Sequence, residues 1–119
     1  MKYEYELIWY DKVYIDEEIS LDLIREIVFG FNEDKYDFLI LTSKPKVEDS
    51  SFLQACRPHT NGRLTIEVRF DYENGSFKQY RYQTDDKNKI IDYFKDYLIN
   101  HEIPNLVNWE DMTDELARW

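Results

Sequence analysis

Hydrophobic and polar side chains alternate along the first ten residues of the chain. One face of an extended segment carries Tyr3, Tyr5, Leu7 and Trp9, and the other carries Glu4 and Glu6. A period of two predicts a strand with one solvated face. Residues 13–15 either extend this strand or return as a hairpin around Asp11 and Lys12.

The period changes to that of a helix over residues 20–31. The apolar positions recur at helical spacing, and they are Leu23, Ile24, Ile27, Val28 and Phe31. This pattern predicts an amphipathic helix. Ser20 is the expected N-cap, and Asn32 can close the helix in the left-handed conformation.

Two more strands are predicted in the next segment. Residues 36–42 are an almost continuous apolar run, which predicts a strand in the centre of the sheet. Pro45 predicts a loop that continues to Ser50, and residues 51–56 read as the following strand.

The clearest pattern belongs to a hairpin formed by residues 63–72 and 76–84. Strict alternation over 63–72 is followed by Glu73, Asn74 and Gly75, which predict the turn. A two-residue turn would pair Tyr72 with Phe77 and place polar side chains on the apolar face. A three-residue loop pairs Tyr72 with Ser76 and keeps Tyr80 and Tyr82 on that face, so we expect the second register.

A second helix follows, with Thr84 as its expected N-cap, and Pro104 ends any continuation. The last segment is rich in large apolar residues, which predicts that it docks on the body; a short helical turn is expected at 113–116. Residues 1–119 are therefore expected to form a single α+β domain. Its core is a four- to five-stranded, mainly antiparallel sheet with two main helices packed on it and a docked C-terminal tail.

Charge is concentrated towards the two ends of this chain, whose net charge is −10. Residues 1–37 carry eleven acidic and four basic side chains, residues 38–101 nine and ten, and residues 102–119 five and one. This excess favours a basic protein partner and disfavours nucleic acid and anionic membranes. If the two ends meet in space, they form one acidic face; if they lie apart, the charge is better explained by solubility.

Location and assembly are expected from simpler features. The N-terminus lacks the apolar region of a secretory signal, the longest apolar run is far too short to span a membrane, and Cys56 is the single cysteine. A cytoplasmic protein is expected, as a monomer or weak dimer, with no cofactor.

Motifs for catalysis or metal binding are weak. Cys56 and His59 have a metal-ligand spacing but lack a second pair of ligands. Glu67 and Arg69 resemble half of a metal-dependent nuclease motif without its upstream aspartate. A carboxylate-dependent enzyme is thus the least favoured alternative, and no catalytic residue is assigned.

A few aromatic residues lie beside acidic clusters and off the core spacing, as expected of anchors for a surface rich in lysine or arginine. They are Tyr10, Tyr14, Trp109 and Trp119. The expected partner-binding residues are Tyr10, Tyr14, Asp16, Glu17, Glu18, Trp109, Glu110, Asp111 and Asp114.

Residues 51–98 resemble a class of small bacterial proteins. The resemblance is carried by Ser51–Ala55, Leu64, Glu67–Arg69, Tyr80–Tyr82, Ile90, Ile91, Phe94, Tyr97 and Leu98. It is to immunity proteins of polymorphic-toxin and contact-dependent-inhibition systems. The resemblance implies a small, acidic, non-enzymatic protein that binds and blocks a toxin, which is often a basic nuclease. A generic intracellular adaptor or regulatory module is the alternative.

Overall fold

The fold is organised around one antiparallel sheet. A computed structural model describes residues 2–31, 36–57 and 62–117. Within these residues the strands are β1 (Glu4–Trp9), β2 (Lys12–Ile15), β3 (Phe38–Val47), β4 (Ser50–Cys56), β5 (Leu64–Asp71), β6 (Phe77–Thr84) and β7 (Glu110–Asp111). Their spatial order is β2-β1-β3-β4-β5-β6-β7. The predicted α+β class is confirmed, and the described part of the chain forms a sheet of seven strands where four or five were expected. Asn32, His59 and Trp119 lie outside the described residues.

Two hairpins follow the sequence pattern. β2 returns beside β1, with Trp9 paired to Lys12. In the β5–β6 hairpin, Val68 pairs with Tyr80 and Ile66 with Tyr82. The N–H of Tyr72 donates to the carbonyl of Ser76 over 2.9 Å. These pairs confirm the three-residue register. A slip of one position would have turned the apolar side chains outwards.

The predicted loop at Pro45 is wrong. β3 runs through Pro45 to Val47, with a register shift between Thr42 and Val47, and the chain reverses at Glu48 and Asp49. Pro45 falls at this irregularity, where a residue without an N–H is tolerated. β3 is paired on both sides, as expected for an interior strand.

Three α-helices accompany the sheet within residues 2–31, 36–57 and 62–117: α1 (Leu21–Gly30), α2 (Lys87–Lys95) and α3 (Thr113–Leu116). The Ser20 hydroxyl accepts from the N–H of Leu23, which confirms it as the N-cap of α1. The N-cap of α2 is Asp86 rather than Thr84. The Thr84 hydroxyl instead accepts from the N–H of Asp86, two residues later, just before the helix begins. α2 continues as a π-helical turn, Asp96–Asn100, and His101 ends it in the left-handed conformation.

The core lies between the helices and one face of the sheet. Across this core face, Leu7, Leu41, Leu53 and Val68 form one fully buried row of neighbours. Ile24, Ile27, Ile90 and Phe94 from α1 and α2 belong to the same buried cluster. The side chains that alternate with this row point to the opposite side of the sheet, here called the open face.

The segment after α2 docks on the body. Trp109 and Met112 are buried, and the N–H of Met112 donates to the carbonyl of Gln79 over 2.8 Å. β7 pairs with β6 and forms the outermost strand at that edge of the sheet. No helix within the described parts of the chain is long and apolar enough to cross a membrane.

Candidate functional site

One row of neighbouring side chains crosses the open face from edge to edge. The pairings of successive strands place in this row Val13, Ile8, Ile40, Gln54, Glu67, Arg81 and Glu110. The row is apolar over β2, β1 and β3, polar at β4 and charged from β5 to β7. The open face therefore has two chemically different ends.

At the charged end, the side chains bond to one another. Arg81 forms an ion pair with Glu110 at 2.8 Å, and Arg69 forms one with Asp71 at 3.0 Å. The amide of Gln79 bridges Glu67 and Arg69, and Gln79 is buried. These charges are therefore paired with one another across the open face. The two nuclease-motif residues, Glu67 and Arg69, are part of this network.

At the apolar end, by contrast, the side chains form no hydrogen bond or ion pair with other described residues. Three of its side chains are about half exposed: Tyr10 (50%), Val13 (53%) and Ile15 (51%). The Tyr10 ring meets the ring of Phe38 edge-on, with 5.3 Å between centroids. We define the apolar end as Ile8, Tyr10, Val13, Ile15, Phe38 and Ile40. Exposed apolar side chains gathered in one place are typical of interaction surfaces, whereas single ones are not.

An acidic pocket of about 470 Å³ adjoins the apolar end, and its walls include Ile15, Glu4, Glu6, Asp16 and Lys44. Glu4 and Glu6 are exposed. The ion pairs found among the described residues join Arg57 to Asp37, Arg69 to Asp71 and Arg81 to Glu110, and none of them involves β1 or β2. Carboxylates therefore face solvent directly beside apolar side chains.

Two of the predicted N-terminal site residues stabilise the edge of the sheet. The Asp16 carboxylate accepts from the N–H of Tyr5 at 2.9 Å, and the Glu18 carboxylate accepts from the N–H of Ile15 at 2.9 Å. Glu17 is exposed between them. Tyr14 is half-buried and packs against the core, so it offers less surface than Tyr10.

The predicted C-terminal site residues lie at the other edge. Six strand spacings separate β2 from β7, or roughly 29 Å along the sheet. Glu110 is engaged by Arg81, and hydrogen bonds from the hydroxyl and N–H of Thr113 hold the pKa of Asp111 below its usual value. Asp114 is exposed on α3. Acidic residues 16–18 and the carboxylates around β7 therefore lie at opposite edges of the sheet.

Trp109 is a core residue, contrary to its expected place on the surface. It is 9% exposed; its ring stacks on Tyr82 at 5.7 Å and meets Tyr93 edge-on at 5.5 Å. The sequence pattern does not predict this burial, because the residues that bury the ring belong to β6 and α2 and not to the segment around Trp109. Trp109 is therefore removed from the candidate site.

Sequence analysis also missed Ile8, Val13 and Ile40 as surface residues. Their alternation with Leu7, Tyr14 and Leu41 was the available signal, since it puts them on the opposite face. Which strands stand beside them depends on strand order, and the pattern of a single strand does not contain that information.

Metal chemistry finds no support in the described parts of the chain, where no group of three or more His, Cys, Asp or Glu side chains is placed to hold an ion. Cys56 lies on the open face opposite Phe38, and burial raises the pKa of its thiol. A raised pKa makes the thiol less nucleophilic at neutral pH. Comparison of the chain with protein-family models, curated proteins and solved structures found no match.

Proposed function

We propose that this protein is a non-enzymatic inhibitor of the immunity type, which binds a basic protein such as a toxin or nuclease and blocks it. One observation carries the proposal: carboxylates that form no ion pair with any described residue stand beside half-exposed apolar side chains at the N-terminal edge of the sheet. Charge-bearing rims speed the association of proteins, and apolar centres supply most of the affinity.

The proposal rests on the N-terminal edge alone. An acidic face made from residues 16–18 together with the carboxylates around β7 would have supported the proposal more strongly. The positions of β2 and β7 at opposite edges of the sheet exclude such a face. The carboxylates near β7 are assigned to ion pairing, to local hydrogen bonds and to solubility.

The protein would inhibit its partner by covering the partner's substrate-binding groove. A standard protein–protein interface buries about 1,200–2,000 Å² in total, which is enough to hide a substrate-binding groove. Carboxylates that approach the lysines and arginines of such a groove also neutralise the field that attracts a polyanionic substrate. The inhibitor needs no chemistry of its own.

Affinity capture from the source cells tests the proposal. The protein should retain a basic partner at low salt and lose it progressively from about 50 mM to about 500 mM salt. Capture that yields no basic protein, or binding that does not weaken as salt rises, would contradict the proposal.

Matched charge reversals test which edge is used. The double variant Glu6→Lys, Glu17→Lys should associate with the captured partner about tenfold more slowly, because it removes attraction at the N-terminal edge. The control, Asp114→Lys with Glu115→Lys, makes the same change of net charge at the other edge and should associate nearly as fast as wild type. Equal slowing by both variants would mean that net charge matters and location does not.

A further inference from the structure

We propose that the partner docks flat across the apolar end of the open face, through a basic segment with apolar side chains, and does not extend the sheet at β2. This inference rests on the proposed function and adds the surface, the orientation and the chemistry of the bound segment. It follows from three features of the apolar end.

The first feature is the contrast between the two ends of the open face. At β5, β6 and β7, Arg69 and Arg81 form ion pairs, and Gln79 bridges Glu67 and Arg69. At β2, β1 and β3 the row is formed by Val13, Ile8 and Ile40, and the helices pack on the other side of the sheet. A partner would gain hydrophobic free energy at the apolar end with little competition from internal bonds.

The second feature is the acidic rim. Glu4 and Glu6 line the pocket next to Ile15, and among the described residues that line it Lys44 is the one with a cationic side chain. A lysine or arginine side chain from the partner fits there by charge, while apolar side chains of the same segment rest on Ile8 and Ile40. A second copy of this chain would bring its own carboxylates against these, so self-association is disfavoured.

The third feature decides the orientation. Addition of a partner strand requires unpaired N–H groups along the edge. On β2 the Glu18 carboxylate already accepts from the N–H of Ile15, and past the end of β2 the Asp16 carboxylate accepts from the N–H of Tyr5 on β1. Protection of an edge by its own side chains is a known means of preventing strand addition, so these two carboxylates favour docking on the face over strand addition.

A synthetic peptide of alternating lysine and leucine is the probe. Titrated into the isotope-labelled full chain, it should shift the NMR methyl signals of Ile8, Val13 and Ile40 and leave those of Ile99 and Val107 in place. A peptide with glutamate in place of lysine should cause no shifts. Methylation of alternate peptide nitrogens should leave binding of the lysine peptide intact, since docking on the face does not use those donors.

Substitutions at two exposed valines provide the matched comparison. Val13→Lys places a cation at the apolar end and should weaken peptide binding at least about tenfold, by lost apolar contact and added repulsion. Val107→Lys makes the same change at a side chain that is 78% exposed in the C-terminal segment and should have little effect. Shifts outside the apolar end, equal binding of the glutamate peptide, loss of binding on methylation, or a dimer formed through this face would overturn the inference.

The two proposals fail in different ways. If cells yield a basic partner that binds Val13→Lys as well as wild type, the proposed function stands and this location is wrong. If the lysine peptide maps to the apolar end but cells yield no basic partner, the docking surface stands and the inhibitor function is wrong.

Discussion

The hydroxyl of Tyr5 on β1 lies 2.6 Å from Nδ1 of His101, which stands 96 positions later in the chain. The same hydroxyl donates to the carbonyl of Tyr97 at 2.9 Å, and the His101 ring stacks on Tyr3 at 4.0 Å. These contacts join the first strand to the end of the second helix. They also fix the point from which the C-terminal segment starts towards β6.

Tyr5→Phe tests the strength of this junction. The variant leaves the carbonyl of Tyr97 without its donor in a buried place, so we expect a loss of about 1–3 kcal/mol in the free energy of unfolding. Urea denaturation measures it. Tyr72→Phe, at a tyrosine about half exposed at the end of the β5–β6 hairpin, is the control and should change stability little. Equal effects would show that the Tyr5 hydroxyl contributes nothing special.

Stability should fall in alkaline solution. Burial raises the pKa of both Tyr5 and Tyr97, whereas tyrosine in the unfolded chain ionises near pH 10. Above about pH 10 the unfolded state therefore releases protons that the folded state keeps, and each tyrosine lowers the free energy of unfolding by up to about 1.4 kcal/mol per pH unit. Below that pH the effect is absent. Urea unfolding from about pH 9 to about pH 11.5 should show this fall, with a shallower slope in Tyr5→Phe; an unchanged slope would exclude Tyr5 as a source.

Trp109→Ala tests the assignment of Trp109 to the core. Removing a ring packed between Tyr82 and Tyr93 should cost about 3–5 kcal/mol of stability. Val107→Ala, two residues earlier and largely exposed, should cost less than about 0.5 kcal/mol. Denaturation curves of the two variants check this. Near-wild-type stability of Trp109→Ala would return the residue to the list of surface anchors.

Three consecutive acidic residues provide an internal comparison at the sheet edge. Asp16→Ala and Glu18→Ala each leave a strand N–H without its acceptor and should lower stability by about 1 kcal/mol, while Glu17→Ala should be close to neutral. The two cap variants should also self-associate more, because a bare edge pairs with other chains. Sedimentation and urea unfolding measure the two effects. Asp16→Asn retains an acceptor oxygen and should behave like wild type; similar losses in all three alanine variants would refute the capping role.

Local patterns predicted the local structure well. The alternation from Tyr3 to Trp9, the helix capped by Ser20 and the pairing of Tyr72 with Ser76 all depend on near neighbours, and the structure has all three. Pro45 misled because proline usually breaks a strand, yet an irregular stretch of β3 accommodates it. β7 was not predicted, because a strand of two residues is too short to show an alternation of apolar and polar side chains.

The site was predicted less well than the fold for a physical reason. Whether Asp16 is a surface charge or a cap for Tyr5 depends on the path of the backbone, not on composition. Whether acidic residues 16–18 stand near Glu110 depends on strand order, and Trp109 is buried by partners far away in sequence. The pattern of exposed acidic and aromatic residues grouped those near β2 with a C-terminal group that the strand order places at the opposite edge of the sheet.

The strand order also sets a sequence of events during synthesis. Strands β3 to β6 each pair with the next strand along the chain, so the centre of the sheet can assemble as soon as it leaves the ribosome. The rings of Tyr82 and Tyr93 lack their contacts with Trp109 until residues 101–112 have been synthesised. A nascent chain halted before that point would hold a formed sheet with an open seam. The C-terminal segment thus completes the packing around Tyr82 and Tyr93 only after the central strands have been synthesised.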